Sequence, residues 1–128
     1  MAATRVFISF DYDHDSDLKT LLVGQAKNSG SPFVIADWSI KVASTGWKEE
    51  ARRRIRASDT VAIICGHHTR SAAGVAAELT LARDESIPYF LLSGRASGIN
   101  QRPTSALTSD KVYDWTWPNL KLLIAGSR

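Results

Sequence analysis

The sequence predicts a doubly wound α/β domain with five parallel strands in the order 2-1-3-4-5. Short apolar runs of strand length alternate along the chain with segments of helical pattern. These runs are nearly continuous in apolar residues, which is typical of parallel strands that are covered on both faces. With 128 residues and 44% hydrophobic content, the chain has room for a substantial core. We therefore expect a single domain over residues 1–128.

The first third of the chain contains two predicted strands and one helix. Residues 5–10 form a short apolar run that ends at an acidic loop, and this pattern predicts a buried strand. Asp15 or Ser16 is positioned to cap the following helix, which ends near Gly30. The second strand is predicted over residues 33–36 and is followed by Asp37 and Trp38.

The middle of the chain begins with a polar loop to Gly46 and an arginine-rich helix over residues 47–58. One face of this helix is marked by Trp47, Ala51, Ile55 and Ser58. The arginines fall mostly on the other faces, so we expect a solvated surface there. The most apolar strand follows over residues 60–65, and a helix is predicted from residue 68 to residue 83.

The last third contains two further strands and a final helix. The fourth strand is predicted over residues 87–92, with Pro88 near its start, where proline is tolerated. Residues 93–110 are rich in Ser, Gly, Asn and Pro and predict a functional loop or a short helix outside the core. An edge strand over residues 112–115 and a helix that begins near Pro118 complete the pattern.

The predicted helix 68–83 carries the residues that organise our functional interpretation. Thr69 or Ser71 can cap its start. The seven residues from Ser71 to Glu78 correspond to about 700° of rotation, which places both side chains on one face about 10 Å apart. Glu78 borders an apolar stripe of Val75, Leu79 and Ala82, so burial should raise its pKa. The alternative is a solvated glutamate in an amphipathic helix.

Polar candidates should converge at the carboxyl edge of the sheet, where α/β domains bind ligands. Asp11 and Tyr12 follow the first strand, Trp38 follows the second, and Glu78 lies beyond the third. Carboxylates with aromatic walls suit cleavage of a glycosidic bond, because a carboxylate stabilises an oxocarbenium-like cation and aromatic rings stack on a base. Phe10 is a further candidate wall, with core packing as an equally good interpretation.

Other chemistries have weaker support. A phosphoacceptor receiver domain needs an aspartate at the end of strand three, where this chain has Cys65-Gly66. The single cysteine lies in an apolar strand and is expected to pack in the core. His67-His68 lacks metal-ligand spacing, so we expect no metal. No Walker loop, GxGxxG motif or Cys-x-x-Cys pair is present.

Composition adds three expectations about partners and location. The formal charge of +3 is mild and no recognition motif accompanies the basic run, which argues against nucleic-acid binding. No apolar run approaches the roughly 20 residues that a membrane span needs. The N-terminus has no pattern of a secretory signal, so we expect a cytoplasmic protein.

Several motifs in order along the chain resemble a TIR-like domain of the branch that includes the Thoeris antiphage signalling protein. These are residues 5–13, 33–38 and 58–61, the spacing from Ser71 to Glu78, and Trp115-Thr116-Trp117. The likeness covers nearly the whole chain and implies a flavodoxin-like fold. The sequence departs from standard TIR domains at two places. Gly74-Val75 replaces a Trp-Cys pair, and the loop from Trp38 to Gly46 replaces a proline-glycine loop.

The resemblance implies an NAD-consuming enzyme, an NAD glycohydrolase or ADP-ribosyl cyclase, with NAD as substrate and no cofactor. Glu78 would be catalytic, and Ser71 would be its companion. Phe10, Asp11 and Tyr12 would line the nicotinamide and ribose end of the pocket, with Trp38 supplying stacking surface. The product would be a linear or cyclic ADP-ribose signal that a downstream effector detects.

The resemblance also implies a homo-oligomer, because TIR enzymes complete their site from a neighbouring protomer. The alternative function is a non-enzymatic TIR-like module that signals through homotypic association. In that case Glu78 would be incidental to function.

Overall fold

The computed structural model of the protein describes residues 3–40 and 46–126. Within these ranges, a five-stranded parallel sheet has the strand order β2-β1-β3-β4-β5. The elements in chain order are β1 (Thr4–Ser9), α1 (Ser16–Ala26), β2 (Phe33–Trp38), α2 (Trp47–Arg56), β3 (Thr60–Cys65), α3 (Ala73–Asp84), β4 (Tyr89–Ser93), β5 (Val112–Asp114) and α4 (Trp117–Ile124). The predicted flavodoxin-like α/β architecture is confirmed.

Two hydrophobic layers sandwich the sheet, because successive side chains of a strand point to opposite faces. On β1, Val6 and Ile8 pack in the layer with α1 and α4, whereas Phe7 packs in the layer with α2 and α3. All six residues of β3 are buried. Burial of each large apolar side chain stabilises the fold by roughly 1.5–3 kcal/mol relative to exposure.

The arginine-rich helix α2 packs on the sheet as its pattern predicts. Ala51, Ile55 and Ser58 are buried, and Trp47 packs against the same layer. The arginines of the opposite faces form ion pairs with acidic residues on α2, at the end of α3 and on β2. The basic run is therefore a charge-balanced surface.

The start of α3 differs from the prediction. The helix begins at Ala73 rather than at residue 68, and Thr69–Ser71 forms a separate 3-10 turn. Ala72 occupies the N-cap position and makes no side-chain cap, so the predicted capping by Thr69 or Ser71 is wrong. Thr69 Oγ1 instead accepts a hydrogen bond from Gly66 N at 2.7 Å. Ser71 and Glu78 do not lie on the same helix, so their predicted placement on one helix face is also wrong.

Strand β2 is two residues longer than predicted. The register of its pairing with β1 shifts between Val6 and Phe7. After this shift, Asp37 lies opposite Phe7 and Trp38 lies opposite Ile8. Trp38 is thus the last residue of a strand instead of the first residue of a loop. The predicted polar loop to Gly46 falls partly on residues 41–45, which lie outside the described residues.

The chain between β4 and β5 forms no helix among the described residues, so a short helix there was a wrong alternative. The segment is tied to the domain by its own polar groups. Gln101 N donates to Gly66 O, Arg83 donates to Ser105 O, and Ser105 Oγ donates to Ala76 O. Pro103 is its one buried residue between residues 94 and 110.

The final helix, α4, begins with a side-chain cap. Thr116 Oγ1 accepts a hydrogen bond from Asn119 N and caps α4, with Pro118 in the first turn as predicted. Within residues 3–40 and 46–126, no helix has the length and apolar character that a membrane span requires.

Two glycines test the packing of this fold. An added Cβ at Gly94 would lie 2.7 Å from Leu18 Cδ1 and 2.9 Å from Cys65 O, whereas one at Gly24, an exposed position of α1, meets nothing within 4 Å. We predict that Gly94→Ala lowers the free energy of unfolding by about 1–3 kcal/mol. The matched variant Gly24→Ala should raise it by up to about 1 kcal/mol, because alanine favours the helix. Urea unfolding of both variants measures these effects.

Candidate active site

A pocket of about 260 Å³ opens at the carboxyl edge of the sheet, where β1 ends between β2 and β3. This is the switch point of a doubly wound sheet, where the chain leaves neighbouring strands in opposite directions and a crevice forms. The described residues that line it are Phe10, Asp11, Tyr12, Asp13, His14, Ser39, Ile40, His68, Ser71, Ala72, Ala73, Gly74, Val75 and Glu78.

The Glu78 carboxylate lies at the inner end of this pocket and is 1% exposed. Its Oε1 atom accepts hydrogen bonds from Ser9 Oγ at 2.7 Å and from Ser39 Oγ at 2.6 Å. Burial raises the pKa of Glu78 to about 7, although both hydrogen bonds act to lower it. The expected upward shift is present, and a solvated glutamate is excluded.

The second carboxylate oxygen of Glu78 is available to a ligand. Oε2 accepts no hydrogen bond from any of the residues that the structure describes, while Oε1 accepts two. The serines therefore fix the orientation of the carboxyl group through one oxygen, while the other accepts no hydrogen bond from the described residues. A carboxylate oriented in this way is suited to interact with a positive charge in the pocket.

Ser39 and Ser9 are functional candidates that the sequence prediction missed. Ser9 is the last residue of β1, and Ser39 directly follows β2. Ser39 N donates to Ile8 O at 2.9 Å, and Ser39 Oγ accepts a hydrogen bond from Phe10 N at 3.1 Å. These bonds hold the Ser39 hydroxyl beside Glu78.

Trp38 is not among the described residues that line the pocket. Because side chains alternate along a strand, the inward placement of Ser39 is consistent with an outward Trp38. Trp38 is 38% exposed, and Lys19 Nζ lies 4.7 Å from the centroid of its ring. Its proposed contact with substrate remains a prediction that the pocket geometry does not favour.

The remaining predicted residues do meet at the pocket. Phe10 is 2% exposed and packs in the core, yet it also lines the pocket, so its two interpretations are compatible. Tyr12 is exposed and stacks on Phe10 with ring centroids 6.0 Å apart. Ser71 lies at the pocket in the turn before α3, although it is not on the same helix as Glu78.

The Asp11 carboxylate is largely engaged within its own loop. Oδ1 accepts a hydrogen bond from Asp13 N at 3.2 Å, and Oδ2 lies 2.7 Å from His14 Nδ1. The His14 ring stacks on the His68 ring with centroids 4.0 Å apart. Asp11 thus orients His14, and a role in positioning ribose remains a prediction.

Neither the cysteine nor a metal-binding cluster provides a second reactive centre among the described residues. Cys65 is buried, and burial raises the pKa of its thiol to about 12, as expected for a cysteine packed in the core. Within the described ranges, no cluster of three or more His, Cys, Asp or Glu side chains has the geometry to hold a metal ion.

Comparisons with known proteins add little to this geometry. No family model matches the chain, and no curated protein matches it. Among solved structures, it is similar to a glutaminase domain of Trypanosoma brucei CTPS with bound acivicin, at 19% identity and a TM-score of 0.48. The match covers 70% of this chain and 36% of that chain. A likeness this distant supports no functional conclusion.

The buried Glu78 should make stability depend on pH. Because its folded-state pKa is raised to about 7, the folded protein holds this proton more tightly than the unfolded chain does. The associated stability is fully present below the unfolded pKa and is lost as pH rises through about 7. We predict that Glu78→Gln removes this loss and is more stable than wild type at pH 8 by about 3 kcal/mol.

Urea unfolding of wild type and Glu78→Gln from pH 4 to pH 8 measures this difference. The matched control is Glu49→Gln, because the Glu49 side chain is 78% exposed. It should follow the wild-type dependence throughout. A constant difference between Glu78→Gln and wild type across the range would contradict the raised pKa.

Proposed function

We propose that the chain is a TIR-like enzyme that cleaves the glycosidic bond of NAD, releases nicotinamide and forms an ADP-ribose product. The observation that carries this proposal is the Glu78 carboxylate, buried at the end of a pocket with one oxygen that accepts no hydrogen bond from the described part of the chain. The resemblance in sequence motifs supplies the substrate class. A cyclic product that acts as a signal in antiphage defence and is detected by an effector fits the same resemblance.

The chemistry requires a group that stabilises positive charge. When the bond between ribose C1′ and the nicotinamide nitrogen breaks, its electron pair leaves with nicotinamide and the ribose becomes an oxocarbenium-like cation. A carboxylate that is already oriented and shielded from water stabilises such a cation more strongly than a solvated one. Ser9 and Ser39 supply that orientation in Glu78 through hydrogen bonds to Oε1.

The dimensions of the pocket suit one end of NAD. Its volume of about 260 Å³ is below the roughly 300–1,000 Å³ of pockets that enclose drug-sized ligands. Nicotinamide and its ribose would occupy the pocket, with Tyr12 and Phe10 as apolar walls and Ser71 near the ribose. The rest of the dinucleotide would lie outside, where a second protomer can contact it.

The alternative is a TIR-like interaction module without enzymatic activity. One observation favours it: Val34 and Trp38 are both exposed on β2, the strand at the edge of the sheet. The register shift in the β1–β2 pairing places Val34 opposite Arg5 and Trp38 opposite Ile8, so the two side chains lie on opposite faces of that strand. Apolar groups on an exposed edge are typical of association surfaces. The two functions are compatible if association completes the catalytic site.

The decisive experiment compares nicotinamide release by wild type and Glu78→Gln at high protein concentration. Glutamine keeps the volume and the hydrogen bonds from the serines but lacks the negative charge that the cation needs. We predict that the rate falls about a hundredfold or more, as for loss of a preorganised electrostatic group in other enzymes. Chromatography of nicotinamide measures the rate.

Glu49→Gln is the matched control and should release nicotinamide at the wild-type rate. Unchanged melting of Glu78→Gln, or a higher melting temperature, would show that lost activity is not lost folding. A folded Glu78→Gln protein that cleaves NAD as fast as wild type would end the catalytic proposal. Absence of cleavage by wild type at every concentration would favour the interaction module.

The pH dependence of the reaction tests the role of the serines. Ionised Glu78 is the active form, so kcat/KM should rise with pH through about 7. Ser9→Ala removes one of the hydrogen bonds that lower the pKa of Glu78. We predict that its kcat/KM profile shifts to higher pH. The control is Ser58→Ala, a buried serine whose hydroxyl donates to Arg54 O and which does not line the pocket; an equal shift there would contradict the assignment.

A further inference from the structure

We propose that His14 is the general base of the second half of the reaction, in which a hydroxyl group captures the ribosyl cation. The inference rests on the proposed cleavage of NAD and adds a residue that the sequence analysis left unassigned. The hydroxyl belongs either to water, which gives linear ADP-ribose, or to a ribose of the same NAD molecule, which gives a cyclic product. In both cases an O–H proton must be removed.

The orientation of His14 suits this role. Nδ1 lies 2.7 Å from Oδ2 of Asp11, whose side chain is 8% exposed. When Nδ1 carries the proton and donates it to this carboxylate, Nε2 carries the lone pair of the neutral ring. The same arrangement of carboxylate and imidazole activates the nucleophile in serine hydrolases. Asp11 therefore selects the tautomer in which Nε2 acts as a base.

His14 lines the same pocket as Glu78, and its side chain is 49% exposed. Nε2 makes no hydrogen bond to any residue within the described ranges. Stacking on His68 limits rotation of the ring. His14 can thus contact a pocket ligand on one side and pass a proton to bulk water on the other.

Glu78 is poorly placed to serve as this base. It is 1% exposed and lies at the end of the pocket, so with substrate bound a proton that it accepted would have no direct route to solvent. Protonation would also remove the charge that stabilises the cation. Asp13 and Tyr12 line the pocket as well, but both are exposed and no hydrogen bond to their side chains orients them among the described residues. Among the described residues that line the pocket, His14 combines a hydrogen bond that orients its ring with access to solvent.

The reaction balances without a further reactant. The C1′–N bond breaks and its electron pair stays on the nitrogen of neutral nicotinamide. The hydroxyl oxygen then forms a bond to C1′ while its proton moves to Nε2 of His14. The histidine releases that proton to water. One proton is produced for each NAD that is consumed.

Exchange of the nicotinamide group separates the two halves of the reaction. Labelled nicotinamide added to the enzyme can attack the cation and regenerate labelled NAD, and its ring nitrogen has no proton to lose. Capture by a hydroxyl does require proton removal. We predict that His14→Gln lowers net formation of linear and cyclic products about a hundredfold, the usual contribution of a general base. Exchange of labelled nicotinamide into NAD should stay within about threefold of wild type.

His67→Gln is the matched control, because His67 neighbours the site but does not line this pocket and its Nε2 contacts Ser97 O. It should change neither rate. Asp11→Asn is a second variant that keeps the side-chain volume and disturbs the His14 tautomer. In Asp11→Asn too, the rate of net product formation should fall more than the rate of nicotinamide exchange.

The outcomes distinguish the two proposals. An active wild type whose His14→Gln variant forms products at the wild-type rate overturns the role of His14 alone. Equal losses of exchange and product formation in His14→Gln also overturn it, because they indicate a role in the fold or in substrate binding. A wild type that neither exchanges nor releases nicotinamide overturns the proposed function and the role of His14 together.

Discussion

The hydrogen bonds that Ser9 and Ser39 donate to the buried Glu78 carboxylate join three separate parts of the chain. They connect the end of β1, the residue after β2 and the first half of α3. A buried carboxylate is costly unless hydrogen bonds compensate for lost hydration. Val75 and Leu79 pack on the sheet and hold this face of α3 inward, so Glu78 cannot turn to solvent. The position of α3 and the shape of the pocket both depend on this contact.

Most of the fold follows from local patterns. Continuous apolar runs in β1 and β3 predict buried parallel strands, and their alternation with helical segments predicts the strand order. The error at the start of α3 occurs where a local side-chain hydrogen bond competes with helix propensity. The alanine-rich run predicts helix back to residue 68, but Thr69 Oγ1 binds Gly66 N and the helix starts only at Ala73. A short polar side chain that binds nearby backbone in this way favours a turn over a helix.

The candidate site was less predictable because its partners are distant in sequence. Glu78 borders an apolar stripe, which is a local signal, but Ser39 and Ser9 lie 39 and 69 residues away. Which of the neighbours Trp38 and Ser39 faces the pocket depends on the register of the strand. A shift of one position reverses the face of every side chain. Because the predicted strand ends at residue 36, the prediction does not specify which of these two side chains faces the pocket. The Asp11 and His14 pair is different: its three-residue spacing within one loop was visible in the sequence.

In the proposed chemistry, the buried Glu78 stabilises the cation and the exposed His14 removes the proton. Burial raises the pKa of Glu78 to about 7, which favours the protonated acid in the free protein relative to an exposed glutamate. On the proposed reaction, NAD brings the positive charge of its nicotinamide ring into this pocket. A nearby opposite charge lowers the pKa of a carboxyl group. Binding of the cationic ring would therefore favour the ionised form of Glu78, so that in the proposed reaction the substrate promotes the charge that its cleavage requires.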